Sequence, residues 1–220
     1  AARATTEYII YSHDDMYYCP GWDETLLTEI NKLNTKAFFL SGTMIEKNSG
    51  HLQLDCGDNY KNFDENKLLN NFKKLKHEDH QGTHWAPHLI HKEYWDKIGG
   101  FSEEFNPGIG SDPDLNMKLW NVGVRIFKGV SNFRVYHFGS IVLRKKKNFK
   151  RNDGAKTFLM KWGISVRFFS KYYLKGPIFV NGKIKSTEYD GPLSEPKKTV
   201  NYFISLLICK IKLLYLNLLN

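Results

Sequence analysis

Cysteine is scarce in this sequence, and the cysteines that are present form no recognisable pattern. There are three, Cys19, Cys56 and Cys209, an odd number without paired spacing. This count argues against a disulfide framework and predicts a reducing compartment. Cysteine and histidine are also not grouped with the spacing of a structural zinc site, which excludes the common zinc-binding modules.

Long hydrophobic runs are missing as well. No stretch of about 18 residues is both apolar and free of charge, and no cleavable signal peptide is recognisable at the beginning of the sequence. The apolar segment 199–220 contains Lys210 and Lys212 near its middle, on different sides of a helical wheel. We therefore expect an interfacial helix, or a helix that packs on a partner, rather than a membrane span.

Aromatic and basic residues, by contrast, are abundant. The hydrophobic fraction of 41% with 15% aromatics predicts a globular protein, and 220 residues favour one domain with appendages. The net charge of +9 is concentrated in the C-terminal third, in 144–151, 171–185 and 197–198. Such a distribution is typical of proteins that meet a polyanion, such as a nucleotide diphosphate, an anionic lipid surface or nucleic acid. The simpler alternative is a set of solvated loops.

A short apolar run near the N-terminus ends at two adjacent carboxylates. Tyr8–Tyr11 is bulky and rich in β-formers, which predicts a short buried strand, and Asp14 and Asp15 follow it. Paired hard oxygen donors at a strand end suit Mg²⁺ or Mn²⁺. The alternative is that the two residues only mark a turn after the strand.

A second acidic cluster precedes an apolar helical pattern. Ser111, Asp112, Pro113 and Asp114 stand directly before Leu115, and proline favours the first helical position. Asp112 is therefore predicted to be the N-cap of a helix, with Asp114 in its first turn. These acids could serve the helix alone, or they could point into a ligand crevice at the edge of a sheet.

Four segments, taken in order, resemble the family 2 glycosyltransferases, which have the GT-A fold. They are residues 8–22, 99–101 with 105–108, 110–115, and 136–140. The resemblance implies an α/β, Rossmann-like GT-A domain over 1–150, with a mixed, mainly parallel sheet flanked by helices. Residues 151–220 would form a basic C-terminal extension with a linker and a terminal apolar helix.

The same resemblance implies roles for particular residues. Asp15, assisted by Asp14 and completed by His137, would hold Mn²⁺ or Mg²⁺. Asp112 would be the catalytic base, and Asp114 would orient the base or the acceptor. Further substrate contacts are expected from Ser111, which stands where many members carry Glu, and from His84 and Trp85 on the acceptor side, although Trp85 fits a plain core position equally well. Independently of the resemblance, the backbone near Gly42 could approach a sugar closely.

The activity implied is inverting transfer of a sugar from a nucleotide-diphosphate sugar to a hydroxyl of a glycan or lipid-linked acceptor, in the synthesis of cell-surface polysaccharide or glycolipid. We expect a cytoplasmic protein, at the inner face of the membrane if the terminal helix touches lipid, and no nucleic-acid partner. The N-terminal part of the family's nucleotide-binding half is not recognisable, so we expect a fragment.

Two other functions stay open at this point. One is a metal-dependent nuclease or phosphohydrolase, in which Asp14, Asp15, Asp112 and Asp114 would form a two-metal cluster on a basic surface. The other is a non-catalytic module that binds a sugar nucleotide.

Overall fold

The computed structural model describes residues 1, 3–83, 85–139, 152–176, 178–180 and 183–218. Its strands are β1 Tyr8–Tyr11, β2 Met16–Tyr18, β3 Phe38–Glu46, β4 Leu52–Gln53, β5 His80–Gln81, β6 His88–His91, β7 Ile126–His137, β8 Ile178–Val180 and β9 Lys183–Lys185. Its α-helices are α1 Trp22–Lys32, α2 Glu65–Asn71, α3 Lys92–Ile98, α4 Ser111–Asn121, α5 Gly154–Trp162, α6 Val166–Phe169 and α7 Val200–Leu218.

The main sheet is mixed, partly curled and flanked by helices, which confirms the predicted α/β class. Its central order is β1-β6-β3-β7-β2, with β4 added to β3 and β5 added to β7. The long β3–β7 pair and the short β3–β4 pair are parallel, whereas the other pairings in this sheet are antiparallel. The prediction of a mainly parallel sheet is therefore not confirmed for the described strands.

Strand β1 is an edge strand, so the prediction of a buried strand was wrong. Among the described strands it pairs with β6 alone, and Ile10 keeps 36% of its surface exposed. The centre of the sheet is instead formed by β3 and β7, where Phe39, Ile45 and Phe127 are fully buried. Four apolar residues in a row do not reveal whether a strand has neighbours on both sides, because pairing is decided elsewhere in the chain.

The two faces of the sheet bury different helices. Alternate residues of β3 point to opposite faces, as strand geometry requires. Phe38 and Leu40 pack in one cluster with Leu26 of α1. Phe39 belongs to a second cluster with residues of α4, α5, α6 and α7, namely Leu115, Phe158, Phe168 and Tyr202 among others. Residues from both sides of the predicted boundary at 150 and 151 therefore share one core.

Helix α4, which carries the second acidic motif, does not begin where the sequence pattern predicted. Its N-cap is Gly110, with φ 90°, and Ser111 is already helical. Asp112 is consequently the second helical residue, and its side chain is not a cap. The glycine turn at 110 starts the helix two residues earlier than the proline pattern indicates, because glycine adopts the left-handed backbone without strain.

Candidate functional site

Strand register brings the first acidic motif to the end of the longest strand. Asp15 stands immediately before β2, and Met16, the first residue of β2, pairs with His137 at the end of β7. The amide of Phe138 also donates to the carbonyl of Asp15, at 3.0 Å. As a result, the Asp15 carboxylate lies 3.3 Å from Nε2 of His137. The sequence predicted this pairing of Asp15 with His137, and the strand register accounts for it.

His13 completes a group of three potential metal ligands. Ligand atoms of His13, Asp15 and His137 all lie within 4.8 Å of one another. Burial lowers the pKa of His13 despite the nearby Asp15 charge, so its imidazole is favoured in the neutral form that binds metals. Two imidazoles with one carboxylate are a donor set that suits Mn²⁺ better than Mg²⁺, which prefers oxygen ligands.

The predicted role of Asp14 in this group is not supported. Its side chain is exposed, and it is absent from the only such ligand group found among the described residues. Its charge acts on His13 from outside the group. The sequence motif indicated the two acids but not His13, the histidine directly before them. The sequence signal that could have found His13 is its position directly before Asp14 and Asp15, since imidazole and carboxylate together are common metal ligands.

Glu46 holds the ring of His137 in position. Ile45 of β3 pairs with Tyr136 of β7, so the next residues, Glu46 and His137, lie side by side although they are 91 positions apart. Nδ1 of His137 donates to Glu46 Oε1 at 2.5 Å, which leaves Nε2 turned toward Asp15. A carboxylate behind a histidine in this way fixes the ring orientation of metal-binding imidazoles.

These two carboxylates also control the charge of His137. Burial alone would lower the pKa of the imidazole, but the hydrogen bonds and charges of Asp15 and Glu46 outweigh it and raise the pKa to about 9. Without a cation, His137 therefore carries a proton that balances the carboxylates. A divalent cation would take over that balancing charge, because metal binding competes with protons for the same ligand atoms.

Asp112 is near Tyr11, the residue whose ring contacts His13. Its charge contributes to raising the pKa of the Tyr11 hydroxyl, after the larger effect of burial. The Tyr11 ring in turn contacts the ring of His13, with centroids 5.5 Å apart. Burial raises the pKa of Asp112 itself to about 7. Both acidic motifs are therefore near Tyr11.

Asp114 is surrounded by protein groups that bind its carboxylate. It is fully buried, accepts hydrogen bonds from Ser102 Oγ at 2.7 Å and Trp162 Nε1 at 2.8 Å, and pairs with Lys161 at 2.9 Å. These contacts join α4 to α5 and to the loop after α3. The role predicted for Asp114, orienting a base or acceptor, stays a prediction, and the contacts of its carboxylate are with the surrounding protein.

The remaining residues predicted to contact substrate either contact other parts of the protein or lie outside the described residues. The hydroxyl of Ser111 donates to the carbonyl of Gly108 at 2.6 Å. Gly42 is buried, and a Cβ at its position would meet Pro87 at 2.8 Å, so packing explains the glycine. The Trp85 ring packs against the core and lies 5.5 Å from the ring of His51. His84 lies outside the described residues.

Comparison with models of known protein families and with curated proteins gives no match for this chain. The assignment of a function therefore depends on the site geometry and on the four sequence motifs.

Proposed function

We propose that this protein is a metal-dependent, inverting glycosyltransferase that uses a nucleotide-diphosphate sugar as donor and a hydroxyl of a glycan or lipid-linked molecule as acceptor. The observation that carries the proposal is the group of His13, Asp15 and His137 beside Tyr11, together with Asp112, whose charge also acts on Tyr11. We further propose the GT-A variant of the α/β fold and a cytoplasmic location.

Asp112 is the residue that we assign as catalytic base. A base works best when its pKa lies near the operating pH, and the pKa of about 7 meets that condition. Its carboxylate would take the proton of the acceptor hydroxyl as that oxygen attacks the anomeric carbon. The bond from that carbon to the phosphate oxygen then breaks, and its electron pair leaves with the nucleoside diphosphate. Attack opposite the leaving group inverts the configuration.

His13, Asp15 and His137 are the residues that would hold Mn²⁺, with Glu46 fixing the His137 ring. A divalent cation at this position would supply positive charge for the departing diphosphate. Tyr11 is near both the cation ligands and the base, since its ring lies 5.5 Å from that of His13 and the charge of Asp112 acts on its hydroxyl.

The two-metal nuclease hypothesis is weakened by Asp114. That hypothesis needs four carboxylates around the ions, whereas Asp114 is saturated by Ser102, Trp162 and Lys161. Asp14 is likewise outside the ligand group. A single cation and a single base fit the geometry better.

Metal binding is tested first, with Mn²⁺ alone and calorimetry as the readout. Asp15→Asn and His13→Asn should each weaken Mn²⁺ binding by at least about tenfold, because each removes one of three ligands. Asp14→Asn is the matched control and should bind nearly as well as the wild type. Equal binding by all four proteins would refute the metal site.

Sugar transfer is tested with a panel of UDP-, GDP- and dTDP-sugars and Mn²⁺, measuring released nucleoside diphosphate. Asp112→Asn should lower the rate about 10²–10⁴-fold while Mn²⁺ binding persists. Binding of Mn²⁺ without binding of any nucleotide would favour the non-catalytic module. Cleavage of DNA without any sugar nucleotide would favour the nuclease.

A further inference from the structure

The C-terminal helix α7 presents two faces of different character. One face packs on the protein through Tyr202 and Cys209, which are 8% and 4% exposed. The opposite face is apolar and uncovered. Its members include Phe203, Ile204, Leu207, Ile211 and Leu214, which are between 52% and 64% exposed.

The exposed face is bounded by lysines on both sides. At 3.6 residues per turn, Lys210 and Lys212 fall about 80° to either side of Tyr202, whereas the exposed apolar residues fall about 100–200° from it. Lys197 and Lys198 precede the helix, and no Asp or Glu occurs from 196 to 218. An apolar stripe edged by lysines without any acid complements a surface that is apolar inside and anionic at its rim.

From this pattern we propose that α7 docks flat on an anionic lipid bilayer, with its exposed face in the acyl-chain boundary and its lysines at the headgroups. Lysine side chains commonly extend toward the headgroup layer from such positions. Among the described residues α7 is the one helix long and apolar enough to span a membrane, and little of it is buried in the protein. However, the packed face holds α7 against the rest of the domain. This favours a helix that lies on the membrane surface over one that crosses the membrane.

A second copy of this chain fits the same face less well. Two α7 helices packed face to face in antiparallel fashion would bring the Lys210 and Lys212 edges of both copies together near the middle of the pair. Like charges at such short range repel. An anionic bilayer instead attracts these lysines, and each basic residue near such a surface strengthens binding about fivefold at low salt. This inference does not depend on the proposed sugar transfer.

The test is sedimentation of the full chain with vesicles of phosphatidylcholine, alone or mixed with phosphatidylglycerol. We expect binding to the mixed vesicles that weakens as salt is raised. Leu207→Ser combined with Leu214→Ser should lower the partition coefficient by at least about tenfold. Leu27→Ser is the matched control, because Leu27 is an equally exposed leucine, at 59%, on α1.

Charge is tested separately with Lys212→Glu combined with Lys198→Glu. Lys210 is left unchanged because its ammonium lies beside Gly163 at the end of α5. This pair should lower binding to the mixed vesicles by about 25-fold or more at low salt, whereas the exposed Lys74→Glu should have a small effect. Circular dichroism confirms that every variant is folded.

Three results would overturn the proposal. The first is a chain that stays in the supernatant with both kinds of vesicle. The second is binding that Leu207→Ser with Leu214→Ser leaves unchanged, since α7 would then not be the contact. The third is a dimer in light scattering that this double variant dissociates, without vesicle binding by the wild type.

Discussion

Replacing Asp114 by alanine tests whether the second acidic motif contains one functional acid or two. The carboxylate of Asp114 has no solvent exposure and is bonded to Ser102, Trp162 and Lys161. Removing one member of a buried ionic network typically costs about 3–5 kcal/mol. Lys161 keeps a second partner, Glu104, at 2.8 Å and is 24% exposed, so we expect the lower end of this range, about 3 kcal/mol.

Urea denaturation followed by tryptophan fluorescence measures this loss. With a slope of about 2–3 kcal/mol per molar urea, the midpoint should fall by about 1 M. The loss leaves a folded protein, because domains of ordinary stability have about 5–15 kcal/mol to lose.

Asp96→Ala is the matched control. Asp96 also pairs with a lysine within a helix, Lys92, but its side chain is 53% exposed. Exposed pairs are worth less than about 1 kcal/mol. If Asp114→Ala cost no more than Asp96→Ala, the buried network would not stabilise the fold, and Asp114 would again be available for a role in substrate binding.

Three further predictions concern the site and its support. Because the pKa of Asp112 rises from 3.8 to about 7 on folding, the folded chain retains a proton that the unfolded chain releases. The wild type should therefore lose stability relative to Asp112→Asn as pH rises from about 4 to about 7, and parallel thermal denaturation curves across that range would contradict this. Glu46→Gln should weaken Mn²⁺ binding about 10–100-fold in calorimetry through loss of the His137 orientation, whereas the exposed Glu24→Gln should leave it unchanged. Lys128→Met should lower the free energy of unfolding by about 3–5 kcal/mol, because Lys128 pairs with Glu29 at 2.5 Å and with Asp79 at 2.6 Å, and a urea midpoint equal to that of the wild type would refute this role.

Local features of the fold were predictable from short stretches of sequence. The apolar spacing from Trp22 indicated α1, and the two glycines after Ile98 indicated the end of α3, which has Gly99 at φ 70°. The side chain of Asp64, a residue type that favours helix N-caps, caps α2 by accepting from the amide of Lys67 at 2.8 Å. Helix periodicity, caps and turns depend on residues within a few positions of each other, so the sequence contains the whole signal.

The site was predictable only in part, for the same physical reason. The order of the sequence motifs indicated Asp15, His137 and Asp112 as site residues. The same motifs indicated Asp14 rather than His13 as a metal ligand, and they predicted that Asp114 orients the base or the acceptor. No sequence motif indicated Glu46 as a site residue, since its contact with His137 arises from the parallel register of β3 and β7.

Sequence patterns indicated most of the helices and turns of this protein and the acids that follow its first strand. The pairing of the strands and the packing of the helices make β1 an edge strand, bury Asp114 against Trp162 and bring Glu46 to His137. Strand pairing joins residues far apart in the chain, and its outcome depends on which faces the whole core can bury, which no short segment encodes.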